Sequence, residues 1–311
     1  MKSKTSSASW AASFFLVGLT AVIWWQKLAI YDFLRLRNYQ PSAQVVALAT
    51  NTTMKDSARH LFYVYHPSIE DSQPFNSHCS GQEKTIILGC YVKNHGIYLY
   101  KVTDTRLNGI LEVTAAHEDL HAAYDRLSSS ERTHIDNLLN EAYANITDKR
   151  IRETIENYKK NGADINNELH SILGTEVRNL PQELEAYYGR YFTNRNKIVD
   201  YSEQYEAAFT TRQQRLADIE GQLGQLKIQI DGLESELQAE ANALARDRHS
   251  VNNQAEANAF NARVDSYNEG VQQLNSLIRQ YNVLVEEYKS LAIEQKSLYG
   301  AIDSHSTIAP E

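Results

Sequence analysis

The stretch Thr114-Ala115-Ala116-His117-Glu118-Asp119-Leu120-His121-Ala122-Ala123-Tyr124 decides both the fold class and the chemistry of this sequence. Its spacing predicts a helix over about 107–127. Val113, Leu120, Tyr124 and Leu127 share one face, and His117 and His121, four residues apart, project from the same face. The histidines are therefore expected to point into a domain. Two imidazoles at this spacing can hold one Zn2+ through nitrogen at about 2.0–2.1 Å. Glu118 follows the first histidine, where it can reach a metal-bound water and take its proton as general base. The competing reading is two structural histidines on a core helix.

Working outward, the pattern changes on both sides. Upstream, Leu61-Phe62-Tyr63-Val64-Tyr65, Thr85-Ile86-Ile87-Leu88 and Gly96-Ile97-Tyr98-Leu99-Tyr100 are short β-branched or aromatic runs bounded by turn residues, and read as strands. Gly96–Tyr100 reads as an edge strand on which an extended peptide can pair. Downstream, Ser128-Ser129-Ser130-Glu131 supplies an N-cap for the next helix, and helical periodicity continues to about 200.

The last third carries two heptad seams. One runs through Leu216, Ile219, Leu223, Leu226, Ile230, Leu233 and Leu237. The other runs through Phe260, Val264, Tyr267, Val271, Leu274, Ile278, Tyr281, Val285 and Tyr288. A polar, Asn-rich connection around 246–258 joins them, which predicts an antiparallel coiled-coil hairpin. Two parallel coils between chains are the alternative.

The N-terminus differs from everything after it. No charged residue occurs from Thr5 to Gln26, and Ser9–Trp25 is nearly all apolar, with Trp10 at one end and Trp24 and Trp25 at the other. This predicts a single transmembrane helix rather than a cleaved signal peptide, since no small residues follow the apolar run. Lys2 and Lys4 before the span nearly balance Lys27, Arg35 and Arg37 after it, so the charge rule leaves orientation open. The two cysteines, Cys79 and Cys90, read either as one disulfide or as two buried thiols. With the short N-terminal tail, they favour an extracytoplasmic body. A net charge of −8 over 311 residues, with no basic cluster, argues against nucleic acid as a partner.

The expected fold is therefore α+β and mainly α. Residues 1–8 form a tail, 9–26 an anchor, 27–50 a juxtamembrane connector, 51–203 a sheet-plus-helices domain, 204–303 the hairpin and 304–311 a tail.

His117-Glu118-x-x-His121 on such a helix resembles the zincin superfamily of metallopeptidases. No Gly-x-x-His or Gly-x-x-Asp follows, which departs from the metzincin form. A later glutamate as third ligand would make the chain similar to the gluzincin branch. The resemblance covers about 85–195, and it implies a zinc-dependent peptidase with a peptide or protein substrate. Glu168, in Glu168-Leu169-His170-Ser171, is the preferred ligand because the run to Glu176 is similar to a gluzincin glutamate helix. Glu176 and Glu141 are the alternatives. Glu176 lies mid-face among Leu169, Ile172, Leu173 and Leu180, a place suited to a carboxylate that orients a ligand histidine. Its plainer role is an ion pair with Arg178, Arg190 or Arg195. The rival functional class is a non-enzymatic envelope scaffold that binds a protein partner through its hairpin.

Overall fold

The computed structural model describes residues 26–79 and 86–305. The predicted membrane span lies outside them, save Gln26. Among the described residues no helix is long and apolar enough to cross a membrane. They are mainly helical, with one three-stranded sheet, and divide into two compact units that meet in sequence at Tyr205/Glu206 and Gly300/Ala301. The predicted hairpin limits, 204 and 303, fall within a few residues of these points.

In the first unit, residues 27–50, expected as a juxtamembrane connector, pack as part of the folded body. They fold into α1 (Lys27–Leu36) and α2 (Ala43–Asn51), and Val45, Leu48 and Ala49 are buried in the core. Ser42 caps α2 by accepting from the Val45 amide. Asp32 of α1 is buried and accepts two bonds from the Arg126 guanidinium, at 2.7 and 2.8 Å. Leu61–Tyr65, expected as a strand, is instead the end of α3 (Asp56–Val64) and its cap. Ala58, Leu61, Phe62 and Tyr65 are all buried at helical spacing, and this period overrides the strand preference of Phe-Tyr-Val-Tyr.

The sheet contains β1 (Ser68–Glu70), β2 (Gly89–Val92) and β3 (Gly96–Tyr100), with α4 (Ser72–His78) after β1. Its order is β1-β3-β2. Gly96–Tyr100 is thus the central strand and not the expected edge. It pairs parallel with β1 and antiparallel with β2, and Ile97 and Leu99 are fully buried. Asn94, at φ 63°, makes the tight turn between β2 and β3. The predicted strand 85–88 lies just ahead of the real one: Thr85 is outside the described residues, and pairing begins at Gly89.

Cys79, at the end of α4, is bonded to Cys90 of β2, with Cα atoms 5.8 Å apart. The bond staples the edge strand to the body. Removing it by a Cys79→Ala/Cys90→Ala change should cost about 3 kcal/mol of stability on the chain-entropy account. Denaturant unfolding of both proteins measures this; identical midpoints would refute a stapling role.

A 3-10 turn (Thr105–Leu107) leads into α5 (Ile110–Asp125), the helix of the opening motif. Ala115, Ala116, Ala122 and Ala123 on it are buried, as their size allows. Next come α6 (Ser129–Ala144), α7 (Lys149–Asn161), α8 (Ile165–Glu176) and α9 (Gln182–Tyr188). Ser128 and Glu131 form a reciprocal capping box at the start of α6. Helix α8 crosses α5 closely because Gly174 sits at the contact: a Cβ there would lie 2.5 Å from Leu120 Cδ1 and 2.8 Å from Tyr188 Cε1.

The second unit is a helical hairpin of α10 (Asn196–Asp247) and α11 (Gln254–Ile302), of which residues 196–205 and 301–302 belong to the other unit. The pairs Arg215–Glu287 and Arg212–Glu294, with Arg263 to Glu240 and Asp247 at the far end, show that the two helices run antiparallel. All predicted seam residues are buried or half-buried, as two amphipathic helices packed on each other require.

Candidate metal centre

Helices α5 and α8 build the site. His117 and His121 stand one turn apart on α5, and Glu168 comes from the first turn of α8, whose N-cap is Asp164. Glu168 Oε2 is 3.9 Å from His117 Nε2 and 3.8 Å from His121 Nε2. One ligand atom from each of the three residues can be chosen so that all lie within 4.8 Å of one another. Ligands bound tetrahedrally at about 2.0–2.2 Å lie roughly 3.3–3.6 Å apart, so small side-chain rotations close this group around an ion. Two imidazole nitrogens and one carboxylate oxygen also form a donor set that catalytic zinc takes. The residues present therefore fit the metal.

Protonation favours the same use. Burial, with His121 and His170 nearby, holds the His117 ring well below its ordinary pKa, so it is neutral with a lone pair to offer. His121 Nδ1 lies 2.9 Å from Asn167 Oδ1. The amide oxygen only accepts, so His121 donates from Nδ1 and the ring is held with Nε2 toward Glu168.

Glu118 is buried beside this group. The backbone of β2 passes directly over it: a Cβ on Gly89 would come 2.9 Å from Glu118 Oε1 and 2.5 Å from Thr114 Cγ2. Gly89 thus lets the edge strand approach the carboxylate. A cleft of about 660 Å³ runs between β2 and the start of α8, lined by Leu88–Val92, Val113, the motif residues, Tyr158, Asn167 and Tyr205.

The other sequence candidates separate. Glu141 is exposed on α6 and does not join the group. Glu176 lines the far part of the cleft, two turns beyond Glu168, and pairs with Arg150 of α7 at 2.6 Å. It orients neither ligand histidine. The three arginines considered for it are engaged elsewhere: Arg178 with Asp200 and Glu203, Arg190 with Glu131, Arg195 with Glu185. The orienting role falls to Asn167, which no pattern in the sequence marks beyond its place next to Glu168. An Asn167→Ala change should weaken metal binding by about 10–100-fold. Competition with a chelating dye measures this; unchanged affinity would refute the role.

His170 is fully buried and packs among Tyr124, Tyr187 and Tyr188, with Nε2 2.8 Å from the Tyr187 hydroxyl. Burial pushes its pKa down to about 3, so it is a neutral core residue behind the site. Tyr187 and Tyr188 are likewise packing residues. Asp119, between the histidines in sequence, is fully buried, and neither of its carboxylate oxygens has a hydrogen-bond partner among the described residues. Burial pushes that carboxyl well above the usual range.

No family model, curated protein or solved structure matches the chain.

Proposed function

We propose that this chain is a membrane-anchored zinc metallopeptidase of gluzincin-like type that hydrolyses peptide bonds. The observation that carries the reading is the meeting of His117, His121 and Glu168 beside the buried Glu118, in a cleft walled by an edge strand. Residues 9–26 would be the single-pass anchor, and the disulfide supports a body on the oxidising side of the membrane.

Zinc held there supplies Lewis acidity toward a carbonyl oxygen and toward water. The chain's own residues do the rest. Strand β2, with β3 on its other side, offers an edge to an extended peptide, which adds as a further strand across the cleft. Glu118 takes a proton from the attacking water and returns it to the leaving amine. Asn167 holds the His121 ring so that Nε2 stays turned toward Glu168. The buried wall around Glu118 limits competing water and strengthens its hydrogen bonds.

Metal analysis of the freshly purified full chain, with a cleavage assay on an unstructured protein, tests the reading. One zinc per chain, and cleavage abolished by chelation and restored by zinc, is the expected result. A chain that binds no metal and cuts nothing would favour a scaffold acting through its hairpin.

A further inference from the structure

Helix α1 carries an apolar face that the body does not cover. Phe33 is 69% exposed, Leu34 56% and Ile30 40%. At 100° per residue these three share one side of the helix with Lys27 and Arg37. The opposite side is fastened down at Asp32 and Arg35, although Leu28 in the first turn is 48% exposed there. Asp32 is held by Arg126, and Arg35 donates to the carbonyls of Val64 and His95 at 3.0 and 2.7 Å. The helix therefore cannot roll to hide its apolar side without breaking these bonds. In sequence, only Gln26 separates it from the apolar run Ser9–Trp25.

We infer that α1 lies flat in the headgroup layer of the membrane that holds the anchor, a reading that rests on the proposed anchor. Ile30, Phe33 and Leu34 enter the acyl boundary, and Arg37 meets anionic headgroups. Helices with this arrangement bury their apolar face about 5–10 Å deep. The inference also narrows the substrate. Arg126, which grips α1, caps α5 five residues past His121, about 7.5 Å along the helix axis. The helix that carries the histidines is thereby tied through Arg126 to the membrane-facing helix, and the substrate inferred is a protein segment that lies near the membrane surface.

The test uses the full chain reconstituted in phosphatidylcholine–phosphatidylglycerol vesicles. The native cysteines are bonded to each other, so a fluorophore attaches to a single introduced thiol: Phe33→Cys, Leu34→Cys, or Ser235→Cys on the hairpin as reference. The expected result is that labels at 33 and 34 are quenched by lipid-borne quenchers and resist aqueous iodide about threefold or more, relative to 235. Iodide access at 33 and 34 equal to that at 235 would overturn the inference. Protection from iodide without lipid quenching would overturn it too, since protein would then cover the face. A chain that fails to float with vesicles at all would instead overturn the anchor.

Discussion

Glu118→Gln will lower peptide hydrolysis by about 10²–10⁴-fold while leaving one zinc bound per chain. Gln matches Glu in shape, so the contact with β2 over Gly89 survives, but the amide cannot accept and pass on a proton. The outcome separates two failures. Loss of activity with zinc retained places Glu118 in the proton transfer. Loss of both would mean that the buried carboxylate supports the site structurally. Full activity with zinc retained would end the proposed mechanism. Metal analysis and initial-rate kinetics on the same preparation decide between them.

The core of this site was legible because His117, Glu118 and His121 fall within five residues on one helix face, where spacing alone states geometry. Glu168 was legible only as one of three glutamates. Pattern named it, but the choice against Glu176 turns on where Arg150 lies, and that depends on how α7 packs. Asn167 was invisible, since a polar residue at the start of a helix carries no mark of the ring it touches. The fold shows the same division. The hairpin seams repeat often enough to be read directly. Leu61–Tyr65 departs from its local preference because a short aromatic run suits a strand, while its burial follows the helical period set from Ala58 onward. Strand β1, three residues long with two of them polar, gives no periodic signal, so the central place of β3 was hidden.

If the proposed centre binds zinc, Glu168→Ala will abolish that binding, and Glu176→Ala will not. The first change removes the only carboxylate among the described residues that meets both histidines, leaving two imidazoles on one helix. The loss in affinity should exceed the 10–100-fold that removal of an outer partner costs. The second change breaks a cleft-wall ion pair with Arg150, so it should lower stability or alter substrate affinity while zinc stays bound. Zinc titration of both variants, with a melting curve to confirm folding, makes the comparison. Retention by Glu168→Ala and loss by Glu176→Ala would transfer the ligand role to Glu176.

The clamp of Arg126 on Asp32 has a consequence for the fate of the protein. The bonds described for the side chains of Asp32 and Arg35 on α1 all reach residues that follow it in sequence. A cut by a processing enzyme between Gln26 and Lys27 would leave every one of them in place. The severed body would therefore keep α1 and the Cys79–Cys90 disulfide, and with α1 in the headgroup layer its remaining hold on the membrane would be the apolar face of α1 alone.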